Sequence, residues 1–192
     1  ERMAVSPFAL REGVLYDLLG RLQHADPRAN TVQALMLRYG VEHEQARRVR
    51  CIALAAFDQL APALELKPIH RLMLGWAADL HETGLGISHS QYQRHSGYLV
   101  QYSDMAGFTQ TEQRFLAALL RHHRRALPES LAGEDLPGRL LAPLRGLLLC
   151  LRPACVFCRT RSDGSLPDLK LEMSGGTPLL RLDRAWATSH PL

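Results

Sequence analysis

Six of the nine histidines in this 192-residue chain, His70, His81, His89, His95, His122 and His123, fall between positions 70 and 123. Imidazole does two kinds of chemistry: neutral, it ligates metals, and protonated, it holds phosphate. His81 is followed directly by Glu82, which pairs an imidazole with a carboxylate. Two later phrases, Arg94-His95 and Arg121-His122-His123-Arg124-Arg125, set arginines beside histidines. Cations in such a row suit a phosphate chain, because each phosphate carries about one negative charge and releases counterions on binding. Arg47, Arg48 and Arg50 can extend the row. A blander role exists for each of these residues. His81 and His123 lie on or beside apolar faces, where a core histidine bonds a carbonyl, and Arg124 and Arg125 close a helix, where the dipole favours positive charge without any ligand.

Composition points the same way. Of 23 cationic residues only Lys67 and Lys170 are lysine, and guanidinium grips phosphate bidentately where ammonium cannot. An Arg-favouring genome would leave the same bias. The net charge of +4 and a pI near 9.1 favour anionic partners without demanding them. Cys155-Val156-Phe157-Cys158 is a lone CxxC with only His190 as a further candidate ligand, and it falls in an expected strand. Incidental cysteines are therefore the expectation. Four cysteines and no secretory pattern fit a reducing cytoplasm, no membrane span is expected, and the opening Glu1-Arg2-Met3 shows no charged-then-apolar pattern, so no targeting segment is expected within the chain.

The elements that must position these residues are helices. Hydrophobic residues make up 46% of the chain and aromatics only 6%, so the core is built from Leu and Ala. Ser6-Pro7 opens a helix over 8–22 and Asp26-Pro27 opens a second that stops at Gly40. A third runs from about Glu42 to Leu60. Pro68 starts a fourth, with Ile69, Leu72, Met73, Trp76 and Leu80 on one face and Gly84 as terminator. A fifth spans 90–102. Thr109-Gln110-Thr111-Glu112 is a capping box for a sixth that reaches about Arg125. A seventh covers 140–151. Beyond Pro153, the segments 156–160, 169–173 and 179–182 read as a three-stranded antiparallel meander that must lean on the helices. Trp76 and Trp186 read as packing anchors.

Ala77-Ala78-Asp79-Leu80-His81-Glu82-Thr83-Gly84 resembles the central Ala-Leu-Leu-His-Asp-Ile-Gly phrase of the HD phosphohydrolase superfamily, whose adjacent His and Asp chelate a divalent metal. The departures are specific. Gln45 stands where the superfamily has its first histidine ligand, Glu82 replaces the Asp, and Leu149-Cys150-Leu151-Arg152-Pro153 stands where its last Asp is expected. Two ligands or more are missing, so His81 and Glu82 form a degenerate pair with no metal expected.

A narrower family accommodates these departures. Val5-Ser6-Pro7-Phe8-Ala9-Leu10-Arg11-Glu12-Gly13-Val14-Leu15-Tyr16-Asp17, Leu80-His81-Glu82-Thr83-Gly84-Leu85, Arg94-His95-Ser96-Gly97-Tyr98 and Arg121-His122-His123-Arg124 are similar to the exopolyphosphatase and guanosine pentaphosphate phosphatase family, over nearly the whole chain. The resemblance implies a mainly α fold: residues 1–22 as the closing helix of an upstream actin-like core, 23–153 as an HD-like helical domain, and 154–192 as a small β subdomain. It also implies a cytoplasmic enzyme that removes terminal phosphates from polyphosphate or guanosine pentaphosphate (pppGpp), with Mg²⁺ held by the upstream core and no catalytic residue in this chain. The role left to the chain is to engage the polyanion through Arg94, His95, Arg121, His122, His123, Arg124, Arg47 and Arg48, and to form a homodimer. A stand-alone HD-type metal phosphohydrolase and an RNA- or polyanion-binding module are the alternatives.

Overall fold

The computed structural model describes residues 26–161, 169–182 and 188. The expected first helix, Trp186 and His190 lie outside the described residues. Among the described residues the fold is a bundle of six α-helices followed by one β-hairpin: α1 Pro27–Arg38, α2 His43–Leu60, α3 Pro68–Leu80, α4 Tyr92–Tyr102, α5 Gln110–His122, α6 Leu141–Phe157, β1 Lys170–Ser174 and β2 Thr177–Arg181.

Local chemistry sets the helix ends. Asp26 accepts a hydrogen bond from the Arg28 backbone N–H at 3.0 Å, and Pro27 occupies the first helical position. Gly40, at φ +62°, closes α1. The backbone N–H groups of Gly40 and Val41 return to the Leu37 and Met36 carbonyls, satisfying acceptors that the helix end would leave bare. Thr109 and Glu112 form the expected reciprocal cap of α5. The helix is shorter than expected, ending at His122 rather than near Arg125. Arg152 supplies the reason, since its guanidinium donates to the carbonyls of His122 (2.7 Å) and Arg125 (2.6 Å) and lets the chain turn away.

The core is Leu- and Ala-built, as composition requires. Val49, Ala53, Ala56 and Leu60 of α2 meet Leu74, Ala77 and Ala78 of α3, Leu116 and Leu120 of α5, and Leu144, Leu147, Leu148 and Leu151 of α6, all buried. Each buried Leu contributes about 1.5–3 kcal/mol by leaving water. Two glycines permit close helix approach. A Cβ on Gly84 would fall 2.6 Å from the Ser96 backbone N, and one on Gly97 would fall 2.9 Å from the Ala117 carbonyl. Thus α3's end, α4 and α5 touch almost backbone to backbone, which brings the histidine phrases together.

Two expectations need correction. Residues 156–160 are not a strand: α6 runs through Pro153 to Phe157, and Cys158–Thr160 adds a 3₁₀ turn. Proline's lost hydrogen bond is outweighed because Ala154, Phe157 and Cys158 all bury their side chains beyond it. The sheet therefore has two strands, paired antiparallel from Lys170 with Arg181 to Ser174 with Thr177 and joined by Gly175-Gly176. It leans on α2 as expected: Gln59 donates to the Leu169 carbonyl (2.9 Å), accepts from the Leu171 N–H (2.8 Å), and Leu171 is buried. Second, residues 138–160 are, by length and composition, long and apolar enough to cross a membrane, contrary to expectation. The apolar side chains that give α6 this character are also those that fill the core of the bundle.

Candidate functional site

The loop after α3, the start of α4, the end of α5 and the last two turns of α6 enclose a cavity of about 750 Å³. His81 and Glu82 enter it from the end of α3, Tyr92 from α4, His123, Arg124 and Arg125 from the end of α5, and Arg152 from α6. Arg159 and Arg161 follow α6 and complete the cationic side. Glu82 is the sole carboxylate among the described lining residues, against five arginines. Arg161 already holds it, donating to Glu82 Oε1 at 2.6 Å while its other nitrogen pairs with Glu42. Positive potential therefore dominates.

His81 and His123 are only 2% and 1% exposed. Each donates its Nδ1–H to the carbonyl three residues earlier, His81 to Ala78 and His123 to Leu120, both at 2.7 Å. The core-histidine role is thus realised in both, although both also line the cavity. Burial drives both pKa values down, that of His123 to about 3, so both rings are neutral at physiological pH.

A divalent cation does not fit this set. Gln45, in the place of a ligating histidine, donates to the Cys158 carbonyl at 2.8 Å. Glu82 is engaged by Arg161, and Arg152 brings a further cation to the same cavity. Among the described residues no three His, Cys, Asp or Glu side chains converge as metal ligands. A site ringed by arginines repels a divalent metal ion and attracts an anion. The cysteines lie at the end of α6 rather than on a strand. Burial pushes the Cys158 thiol up to about 11 and the Cys155 thiol higher than usual, the reverse of an activated redox thiol.

A second groove, of about 840 Å³, lies on the other side of α4. Arg94, His95, Arg121 and His122 face it, and Arg124 and Arg125 border both. Helices α4 and α5 do meet, but the expected single cleft is divided: His123 lines the first cavity while Arg121 and His122 line the second. Within the second groove Glu134 engages two of the cations. It pairs with Arg121, which also donates to Gln101 at 2.6 Å, and lies 2.7 Å from His122 Nε2. Arg47 and Arg48 on α2 line neither space; Arg47 lies 2.8 Å from Glu44 and Arg48 3.8 Å from Glu42. Sequence reasoning missed Arg152, Arg159 and Arg161 as lining residues, whereas His89, part of the histidine cluster, does line the first cavity. Arg152 was within reach, since it falls in the phrase Leu149–Pro153 that departs from the metal-binding pattern.

A family model described as Ppx/GppA phosphatase, domain III, matches residues 28–192. The chain belongs to the Ppx/GppA phosphatase family. A Ppx/GppA relative from Pseudoalteromonas translucida, a guanosine-5'-triphosphate,3'-diphosphate pyrophosphatase, is 32% identical over 193 residues, covering 100% of this chain and 38% of its own length. One of the same name from Aeromonas hydrophila is 37% identical over 195 residues, covering 100% and 39%. The chain thus spans under two fifths of the length of these Ppx/GppA relatives.

Proposed function

We propose that this chain is the polyanion-engaging, C-terminal region of a Ppx/GppA phosphohydrolase that removes terminal phosphates from polyphosphate or pppGpp. The observation that carries the reading is the first cavity, whose arginines outnumber its one carboxylate five to one. Catalytic carboxylates and Mg²⁺ belong, on this reading, to an actin-like core preceding the chain in the same polypeptide. The relatives' names, each a pyrophosphatase of a guanosine polyphosphate, support the substrate class. Pairing of two copies is part of the same proposal. Two exposed tyrosines on α4, Tyr98 and Tyr102, whose rings lie 4.7 Å apart and tilted by 47° beside the second groove, are the surface offered for it.

Within the cavity the division of work is electrostatic. Arg124, with its guanidinium 4.6 Å from the Tyr92 ring, and Arg159 supply charge to the cavity, while Arg152 and Arg161 are held by protein oxygens. Titration of long-chain polyphosphate into the protein at several salt concentrations tests this. Affinity should fall linearly with the logarithm of salt, and the double substitution Arg124→Ala, Arg159→Ala should flatten the slope by about two charges. A slope unchanged by the double variant would remove the cavity from the binding path.

A further inference from the structure

One buried polar atom of the cationic cavity has no partner. His123 Nδ1 lies 2.7 Å from the Leu120 carbonyl, so the ring proton sits on Nδ1 and Nε2 presents a lone pair. That Nε2 is buried and makes no hydrogen bond. The nearest ring cannot help, because His81, 5.6 Å away, has its own proton committed to the Ala78 carbonyl and offers a second lone pair. An enclosed acceptor that makes no hydrogen bond is a demand for a donor.

The surrounding charge makes the opposite demand. Five arginines line the same cavity and call for an anion. Ionised inorganic polyphosphate satisfies the arginines and offers acceptors along its whole length, so it leaves His123 unanswered. A nucleoside polyphosphate answers both, with phosphates for the guanidinium groups and a ribose hydroxyl or a base N–H for the imidazole. It also matches the remaining wall, where Leu148, Leu149, Val156 and Phe157 offer apolar surface to a base. The volume of about 750 Å³ lies within the range of small-molecule sites. Tyr92 stands 5.5 Å from the His123 ring, with Arg124 over its face.

We infer that this cavity prefers nucleoside polyphosphates to inorganic polyphosphate, and that the Nε2 lone pair of His123 makes the distinction by accepting a hydrogen bond from the nucleoside. The inference rests on the reading of the cavity as an anion site. Given that reading, His123 is a specificity determinant rather than a phosphate cation.

Calorimetric titration of the protein with GTP and with tripolyphosphate, both in EDTA, tests it. The two probes carry the same triphosphate chain and differ in the nucleoside. GTP should bind about tenfold more tightly. His123→Phe should erase that preference and leave tripolyphosphate affinity unchanged, and His123→Gln, whose amide oxygen reaches the place of Nε2, should restore most of it. Arg159→Ala should weaken both ligands alike. Equal affinity of the unsubstituted protein for the two probes overturns the inference, whatever the variants do, as does a preference that survives His123→Phe. Failure of both probes to bind, or indifference of both to Arg159→Ala, overturns instead the anion site on which the inference stands.

Discussion

The imidazoles of His81 and His123 meet edge to face, 5.6 Å between centroids, each with its single proton committed to the carbonyl of its own helix's last turn. Two neutral rings so enclosed cannot take up protons without desolvating a charge. An unfolded histidine protonates near 6.5, whereas His123 in the fold does so only near about 3. Between these values the unfolded chain binds more protons, so stability is full above 6.5 and falls as the pH drops below it. Each such histidine contributes a slope of up to about 1.4 kcal/mol per pH unit. Urea denaturation at pH 7.5 and 5.0 should show the midpoint falling on acidification, and His123→Phe should make the fall shallower. A midpoint indifferent to pH would contradict the burial of these rings.

Glu134 behaves oppositely. Burial alone would raise its pKa, but the hydrogen bonds from His122 and Arg121 win and pull it from 4.5 to about 2. Its contribution is present above 4.5 and lost as the pH falls towards 2, about 3 kcal/mol at most. Glu134→Gln should lower stability at pH 7 and flatten the acid limb of the stability curve. It should also release Arg121 and His122 into the second groove and tighten polyphosphate binding there severalfold, measurable by the same titrations.

Asp79 is buried on α3 and pairs with Arg50 of α2, and its pKa is raised by burial despite that partner. Gly75 leaves the space the guanidinium needs, since a Cβ there would lie 3.1 Å from the Arg50 Cζ. Arg50→Met should cost roughly 2 kcal/mol in thermal or urea unfolding, less than for a fully enclosed pair because Arg50 is 38% exposed. The double variant Arg50→Met, Asp79→Leu should recover most of the loss. A single variant as stable as the parent would show that the carboxyl is protonated in the fold.

Gly84→Ala sets a methyl against the backbone of α4, which has no rotamer to yield, whereas Gly138→Ala meets nothing within 4 Å. The first should destabilise by about 3 kcal/mol and the second by a few tenths at most, compared by chemical denaturation. Because Gly84 N–H donates to Ser96 Oγ, which donates to the His81 carbonyl, the first variant should also loosen the cavity and weaken GTP binding.

Local signals settled the elements. Asp26-Pro27, the Thr109–Glu112 box and the stop at Gly40 act within one helical turn, so they are readable without knowing the fold, whereas α3 ends at Leu80 and the expected terminator Gly84 lies in the 3₁₀ turn Thr83–Gly86 that follows. The resemblance of residues 80–85, 94–98 and 121–124 to one family was legible for a similar reason, since short phrases carry it. Elements whose fate depended on distant partners were not legible. Pro153 looked like a boundary because the burial of Ala154 and Phe157 against the bundle, which carries the helix past it, is a long-range effect.

The chain's own order of residues determined a helical, arginine-rich, Leu/Ala-cored protein with a weakened metal-binding phrase at His81 and Glu82. Only the tertiary structure decided which cations share a space: it sent His123 into one cavity and His122 into another, cancelled Arg121 with Glu134, and brought in Arg152, Arg159 and Arg161 from far along the chain. The physical reason is that successive residues at a helix end point about 100° apart, while charge acts through space and ignores sequence distance.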